Sequence, residues 1–215
     1  MTLERDLNDK EIGKIITYGI ETSNVRGVNI QPVAYFGRKN GTIDRKNRVT
    51  LTDAIRLIEE QTKKMIVKED FMPLPCNVER VSLTYLYKTK GGFLPITRAN
   101  NIKKLLPYIN NTFTFKIEDA LTNGRDIIFG SCCNPLVFLK EFKKFVPKDF
   151  MKWDIDKRSE YVSENTFRIT ITSFVDRYNF DIKSMQKECV HIVTEDFKRI
   201  PFSSYNMIYR EKYRK

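Results

Sequence analysis

The stretch Lys68–Gly92, KEDFMPLPCNVERVSLTYLYKTKGG, divides the chain into two parts of different character. Within it, Val81–Tyr87 alternates and is rich in β-branched and aromatic residues, a pattern that predicts a half-buried strand. Gly91 and Gly92 then predict a turn. Helical and strand-like patterns alternate before this stretch. After it, the pattern is irregular and more aromatic.

Cys76 lies in the same stretch, between the prolines Pro73 and Pro75 on one side and the predicted strand Val81–Tyr87 on the other. Prolines restrict the backbone, so this thiol has the fixed position that a metal ligand needs. The alternative is a buried and inert cysteine, which is the commoner outcome for a single Cys. The remaining cysteines are Cys132, Cys133 and Cys189.

The spacing of the four cysteines is not that of a disulfide scaffold in a chain of 215 residues. No two of them have the short gap of a zinc ribbon or an iron–sulfur hairpin. Cys132 and Cys133 are adjacent, and adjacent residues rarely reach one metal together. Any metal site would therefore combine distant parts of the chain.

The composition predicts a globular protein with a sizeable core and a basic surface. The length fits one domain or one and a half, and 41% of the residues are hydrophobic. Lys and Arg number 38 against 27 Asp and Glu, which gives a formal net charge of +11. The tail Phe197–Lys215 interleaves basic residues with tyrosines and could bind nucleic acid or an acidic membrane surface. The alternative is a general compositional bias towards lysine.

Targeting signals are not evident in the sequence. The first apolar run, Ile12–Ile20, is too short and too polar for a signal peptide. No apolar stretch approaches the roughly 20 residues of a membrane helix. We therefore expect a cytoplasmic protein without a transmembrane segment.

The first part of the chain predicts an α/β fold. Strand and helix alternate as strand Thr2–Leu7, a helix over Glu11–Ile20, strand Val25–Phe36 and helix Asp53–Thr62. Val25–Phe36 is almost continuously apolar, as expected for a strand buried on both faces of a parallel sheet. Ligands bind such sheets at the carboxyl ends of the strands, here Asp6–Asp9 and Gln31–Phe36. The unit is too small for a complete barrel, so we expect it to pair with another chain or to be part of a larger domain.

Polar residues before each predicted helix offer caps. They are Asn8 and Asp9 for the first helix, and Thr50 and Thr52 for the second.

The second part predicts mixed elements. These are a turn at Leu94–Pro95, helices at Asn100–Ile109, Pro135–Phe145 and Asp181–Glu188, strands at Thr112–Leu121, Phe167–Phe174 and Cys189–Thr194, and a linker or mobile loop at Pro147–Ser163. On a strand, Cys189 and His191 would point to the same face and present half of a metal site. Neither a nucleophile elbow nor a phosphate-binding glycine motif is present.

Five stretches occur in an order that resembles one family. They are TLERDLNDKEIGKII, VRGVNIQPVAYFGR, EDFMPLPCNVERVSLTYLY, FRITITSFVDRYNFD and KECVHIVTEDFKRIPFSSYN. Together they resemble the second half of radical S-adenosylmethionine enzymes of the archaeal tetraether lipid synthase type, whose relatives include pterin methyltransferases. The resemblance implies that residues 1–66 are the last strands and helices of a partial (β/α) barrel. Residues 67–215 would be an α+β C-terminal extension that carries a degenerate auxiliary cluster region.

The resemblance implies S-adenosylmethionine and a [4Fe–4S] cluster as cofactors. Asn8 corresponds to an Asn that faces S-adenosylmethionine, and Gln31 and Pro32 lie at the mouth of the next strand. Helix capping is the alternative role for Asn8. Five residues are implied as remaining metal ligands, namely Cys76, Cys132, Cys133, Cys189 and His191.

The sequence departs from the family pattern at its cysteines. The CxxxCxxC loop that holds the catalytic cluster is absent, since no cysteine precedes Cys76. Val78 and Val81 stand where the family carries a His and a second Cys. Glu188 and Ser203 stand at two further cysteine positions.

Two hypotheses follow from the sequence. In the first, the chain is the C-terminal portion of a radical S-adenosylmethionine enzyme, catalytically incomplete alone. A second chain would carry the CxxxCxxC half-barrel, and an adenosyl radical would abstract hydrogen from a lipid or another small-molecule substrate. In the second, the chain is a stand-alone basic module that binds nucleic acid or an acidic membrane surface.

Overall fold

The computed structural model describes residues 1–36, 48–74, 77–89, 91–99 and 146–213. These residues form one mixed six-stranded sheet and a two-stranded hairpin. The strands of the sheet are β1 Thr2–Leu3, β2 Gly27–Pro32, β3 Met72–Pro73, β4 Val81–Thr89, β5 Gly92–Pro95 and β6 Thr166–Thr172; the hairpin consists of β7 His191–Val193 and β8 Arg199–Pro201. The order in the sheet is β1-β2-β6-β4-β3, and β5 pairs with β4.

The described helices are mostly short. They are α1 Ile12–Glu21, α2 Leu51–Gln61, α3 Ile96–Ala99, α4 Ile155–Asn165, α5 Ile182–Gln186 and α6 Phe202–Ser204. Two 3-10 turns, Lys68–Asp70 and Phe150–Lys152, and a π-helical turn, Tyr205–Tyr209, complete the list. Among these described helices, none is long and apolar enough to cross a membrane.

The sheet has a parallel half and an antiparallel half. Strands β1, β2 and β6 run parallel to one another, whereas β4 is antiparallel to β6, β3 and β5. The α/β class and the parallel environment of β2 are therefore confirmed. Closure into a partial barrel stays a prediction. The expected burial of this strand on both faces is wrong at Asn29, which is exposed.

Residues 1–66 and 67–215 contribute to the same sheet. β6 comes from the second segment and pairs with β2 of the first, with Asn29 opposite Thr170. On its other edge β6 pairs with β4 along seven residue pairs, from Val81 opposite Thr172 to Tyr87 opposite Thr166. The boundary between the two segments stays a prediction.

The main hydrophobic core lies between one face of the sheet and helices α1 and α2. Inward-facing residues of the strands, such as Ile30, Ile169 and Ile171, are fully buried there. They pack with Ile16 of α1 and Ile58 of α2, which are also fully buried. Burial of such side chains stabilises the fold by about 1.5–3 kcal/mol each. A smaller cluster on the opposite face contains Met72, Leu74, Val81 and Leu83.

The two long helices of the first segment begin differently from one another. Thr50 caps α2 in a capping box with Asp53, as predicted for Thr50, whereas Thr52 lies inside the helix. The predicted cap of α1 by Asn8 or Asp9 is wrong, because the N-cap residue is Glu11 and its side chain makes no cap. Gln61 of α2 instead accepts a hydrogen bond from the Gly13 N–H at 3.0 Å. A neighbouring helix therefore satisfies a free N–H of α1.

Several sequence expectations need correction in the second segment. The predicted turn Leu94–Pro95 is the end of strand β5. The predicted linker Pro147–Ser163 contains most of helix α4. Asp154 is the N-cap of this helix, and its side chain accepts a hydrogen bond from the Lys157 N–H. Phe150, Trp153 and Tyr161 pack their rings together with centroids 5.5–5.9 Å apart. This aromatic packing stabilises a segment whose composition is otherwise polar.

The strand predicted over Cys189–Thr194 is shorter than expected. β7 begins at His191, so Cys189 precedes the strand and the same-face argument for the two residues does not hold. The strand predicted over Phe167–Phe174 is confirmed as β6. Other predicted features lie outside the described residues, namely Asn100–Ile109, Thr112–Leu121, Pro135–Phe145 and the cysteines Cys76, Cys132 and Cys133.

Replacing Gly27 with alanine should destabilise the sheet, because a Cβ there would lie 2.4 Å from the backbone oxygen of Arg168. That oxygen is held in the β2–β6 pair, so the clash can only be relieved by moving a strand. We expect the free energy of unfolding to fall by about 2 kcal/mol, as measured by urea denaturation.

Gly91→Ala is the matched control, because its nearest neighbouring atom would be 4.0 Å away. It should change the free energy of unfolding by less than about 0.5 kcal/mol. Wild-type stability in Gly27→Ala would show that the two strands are not paired at this register.

Candidate functional site

The carboxyl ends of β1, β2 and β6 lie at one edge of the sheet, because the three strands are parallel. Asp176 follows β6 at this edge and is fully buried. Its Oδ2 accepts hydrogen bonds from the Tyr35 N–H at 2.8 Å and from Arg48 Nη2 at 2.8 Å. Its Oδ1 accepts from Arg48 Nη1 at 3.0 Å and from the Tyr178 N–H at 2.9 Å.

This carboxylate connects three separate segments. Tyr35 follows β2, Arg48 precedes α2, and Asp176 follows β6. A buried carboxylate is stable when it is paired and hydrogen-bonded, and both conditions are met here. The Asp176–Arg48 pair therefore connects the start of α2 to the end of β6, at the edge where parallel sheets bind ligands.

Replacing Asp176 with alanine should lower the free energy of unfolding by about 3–5 kcal/mol, because the partly buried Arg48 would lose its counter-ion. Chemical denaturation measures the change. The control is Arg56→Ala, which removes an exposed pair with Asp53 and should cost less than about 1 kcal/mol. Equal effects of the two substitutions would contradict the role given to Asp176.

The face of the sheet opposite α1 and α2 is polar in its parallel half. Asn29 and Gln31 of β2 and Thr170 of β6 point to this face, since side chains alternate along a strand. Asn29 is exposed and Gln31 is half-buried. The Asn29 Oδ1 accepts a long hydrogen bond from Thr172 Oγ1 at 3.4 Å. We call Asn29, Gln31, Thr170 and Thr172 the open polar face; its two carboxamides are accessible, whereas its two threonines are buried.

The three predicted cofactor residues do not share one surface. Gln31 belongs to the open polar face, whereas Pro32 points to the helix-covered side and is buried. Asn8 lies beside β1, where its Oδ1 accepts from the Glu4 N–H at 2.9 Å and its Nδ2 donates to the Thr2 carbonyl at 2.8 Å. A cofactor contact for each of these residues stays a prediction.

A second group of polar residues lies where the C-terminal segment meets the end of β6. Ser203 is fully buried and Glu188 is nearly so, at 9% exposure. The Ser203 hydroxyl donates to Glu188 Oε1 at 2.6 Å, and the Ser203 N–H donates to Glu188 Oε2 at 2.9 Å. The Val175 N–H donates to the Ser203 hydroxyl oxygen at 3.1 Å. We call Glu188, Ser203 and Val175 the C-terminal junction.

A small cavity lies beside this junction. Its lining includes Asn77, Arg80, Ser184, Glu188 and Cys189. Asn77 donates to the Ser184 carbonyl at 2.9 Å, and Arg80 Nε donates to the Ser184 hydroxyl at 3.0 Å. Asn77 directly follows Cys76 in the sequence, so the loop after that cysteine is fastened to α5.

The junction brings together positions that the sequence analysis assigned to cysteine ligands. Glu188 and Ser203 occupy two of these positions, and Cys189 lines the adjoining cavity. His191 is exposed on β7. Within the described ranges, no three His, Cys, Asp or Glu side chains come together in a metal-binding group. Iron–sulfur clusters are held by thiolates, so a bonded carboxylate–hydroxyl pair does not fit that role.

Burial raises the pKa of Glu188 above its ordinary value of 4.5, and this effect outweighs the hydrogen bonds from Ser203 and the positive charges of His191 and Arg80. The folded state therefore binds the proton of Glu188 more tightly than the unfolded state does. The resulting stabilisation is complete below the unfolded pKa and is lost as the pH rises through the raised folded-state pKa.

Glu188→Gln should remove this pH dependence, because an amide does not titrate. We expect the wild-type free energy of unfolding to fall relative to that of the variant as the pH rises above 4.5. Urea denaturation over a pH series measures the difference. A difference that is independent of pH, or one that grows in the opposite direction, would show that the folded-state pKa is not raised.

The basic tail does not display its tyrosines as a row of free rings. Tyr205 stacks on Tyr213 with centroids 6.5 Å apart and an interplanar angle of 24°. The ammonium of Lys212 lies 5.5 Å from the centroid of the Tyr213 ring. These contacts give no specific support to a nucleic-acid or membrane surface.

Sequence reasoning missed Asp176, Arg48 and Asn29 as residues of the site. A carboxylate that directly follows the alternating strand pattern of Phe167–Val175 was a usable signal for Asp176, because it marks the end of a strand. Arg48 ends the basic stretch Arg38–Arg48, and no local pattern distinguishes it from the other basic residues there. Asn29 lies within Val25–Phe36, the stretch that was predicted to be a strand buried on both faces.

The comparisons with known proteins agree with part of the resemblance. No family model matches the sequence. The chain is 31% identical over 247 aligned positions to the 7,8-dihydro-6-hydroxymethylpterin dimethyltransferase of Methanocaldococcus jannaschii. The match covers 98% of this chain and 48% of that protein. The chain is thus similar, over nearly all its residues, to about half the length of a curated pterin dimethyltransferase.

Proposed function

We propose that the chain is the C-terminal portion of a radical S-adenosylmethionine methyltransferase that acts on a pterin. The similarity to the Methanocaldococcus protein favours a pterin as substrate. It gives no support to the tetraether lipid synthase side of the resemblance. Lipid chemistry is therefore the less favoured form of this proposal.

The open polar face is the observation that carries the proposal. In a (β/α) barrel, the face of the strands away from the helices lines the interior, and ligands bind near the carboxyl ends of the strands. Here that face presents the carboxamides of Asn29 and Gln31. A carboxamide offers both hydrogen-bond donors and acceptors, as the polar edge of a pterin and the polar groups of S-adenosylmethionine require.

The catalytic cluster does not fit the cysteines of this chain, because the sequence lacks the CxxxCxxC spacing. We therefore propose that the half-barrel that holds a [4Fe–4S] cluster lies outside these 215 residues, in a second polypeptide or in a further part of the same one. With that cluster, S-adenosylmethionine supplies an adenosyl radical. The residues of this chain have another role: Asn29 and Gln31 orient the bound molecules, while the Asp176–Arg48 pair fixes the loops around them.

The test uses the native complex, isolated without oxygen through a tag on the chromosomal copy of this chain. We expect the complex to contain a CxxxCxxC motif, either on a co-purifying polypeptide or on a further part of the tagged one. Given S-adenosylmethionine, a reductant and a dihydropterin, the complex should release 5′-deoxyadenosine and a methylated pterin, both measured by mass spectrometry.

The double variant Asn29→Ala/Gln31→Ala should lower this activity at least about tenfold, since two hydrogen bonds to bound molecules are lost. Lys14→Ala on the exposed side of α1 is the control and should leave the activity unchanged. Native material that contains no CxxxCxxC motif, or a complex that leaves S-adenosylmethionine intact, would contradict the proposal.

A further inference from the structure

Ser203 is the point at which three segments of the chain meet. Ser203 lies within the short helix α6. Its partner Glu188 follows α5, and Val175 follows β6. Neighbouring contacts reinforce the meeting point. The Phe202 N–H donates to the Val190 carbonyl at 2.9 Å, and the rings of Phe202 and Phe174 lie 4.6 Å apart between centroids.

The N–H and the side-chain hydroxyl of Ser203 are bonded to protein partners. Its hydroxyl proton and its N–H are both donated to the carboxylate of Glu188. Its hydroxyl oxygen accepts from Val175. Bonds from a hydroxyl and a main-chain amide to one carboxylate are charge-assisted and strong for their type. They also offset the cost of burying the Glu188 carboxyl.

The distance between the two oxygens identifies the contact as a hydrogen bond and not as shared ligation of a metal. Ser203 Oγ and Glu188 Oε1 are 2.6 Å apart, which is ordinary for O–H···O. Two oxygens bound to one tetrahedral metal, each about 2.0–2.2 Å from it, would lie more than about 3 Å apart. The pair therefore closes the space that an ion between the two side chains would need.

We propose that Glu188 and Ser203 fasten the C-terminal segment to the end of β6 by hydrogen bonds alone, at positions where the family resemblance implies metal-bound cysteines. The junction is thus a protein-only substitute for a metal crosslink. It makes the packing of α5, α6 and the β7–β8 hairpin independent of iron. This inference does not require the chain to be part of an enzyme.

A double-mutant cycle on the full-length chain tests the junction. Glu188→Ala, Ser203→Ala and their combination are compared by urea denaturation. We expect each single variant to raise the equilibrium constant for unfolding strongly. The coupling between the two substitutions should be at least about tenfold in that constant, because either substitution alone already removes the charge-assisted pair. Ser203→Cys, whose S–H is a weak donor, replaces Ser203→Ala in the cycle if the alanine variant does not fold.

Ser204 provides the matched control. It is the next residue in the chain and is 7% exposed, so it is comparably buried. Ser204→Ala combined with Glu188→Ala should give additive effects within about twofold. Additive effects in the Glu188–Ser203 cycle as well would overturn the proposal.

A second measurement separates this junction from a metal site. The wild-type chain is incubated anaerobically with ferrous iron and sulfide, and its thermal midpoint is compared with that of a sample treated with a chelator. We expect the two midpoints to agree. Bound iron that stabilises the wild type and is lost in both the Glu188→Ala and Ser203→Ala variants would overturn the proposal.

Discussion

The pairing of β6 with β2 on one edge and with β4 on the other is the interaction on which the rest of the described structure depends. Asn29 lies opposite Thr170, and Thr170 in turn lies opposite Leu83. Because side chains alternate along each strand, this register assigns every residue of the three strands to a face. It places Ile169 and Ile171 in the core and leaves the threonines of β6 on the open polar face.

The same strand positions both groups of functional interest. Val175 and Asp176 are consecutive residues just beyond the end of β6. The Val175 amide is bonded to Ser203 of the C-terminal junction, whereas the Asp176 carboxylate holds Tyr35 and Arg48. A shift in β6 would therefore disturb the C-terminal segment and the loops at the carboxyl edge together. The two groups involve residues that are distant in the sequence, but both are bonded to the consecutive residues Val175 and Asp176.

The sequence was informative where local pattern and tertiary environment agree. The alternation in Phe167–Phe174, the largely apolar stretch Val25–Phe36 and the Thr50 cap each reflect forces that act over a few residues. Each predicted an element that is present. The segment Pro147–Ser163 was misjudged because aromatic packing of Phe150 with Trp153 and Tyr161 outweighs its polar composition.

The candidate site was harder to predict because its contacts are long-range. Asp176 and Arg48 are separated by 128 positions, and Glu188 and Ser203 by 15. Neither residue of these pairs lies in a local sequence pattern that identifies its partner. The cap of α1 by Gln61, 48 positions away, was missed for the same reason. The resemblance did point to positions 188 and 203, but only the structure shows that they bond to each other.

The position of Asn8 affects whether a further strand can be added to the sheet beside β1. The Thr2 carbonyl and Glu4 amide point away from β2, since the carbonyls of Met1 and Leu3 are the ones bonded to that strand. Such outward groups normally invite strand addition by another polypeptide, including unwanted aggregation. The Asn8 carboxamide occupies both of them, as a strand would. Any strand that joins β1 must first displace this side chain and replace its two bonds with main-chain ones. Exchanging two side-chain hydrogen bonds for two main-chain ones is nearly neutral in free energy. Asn8 therefore opposes the addition of a strand to β1 but does not prevent it permanently.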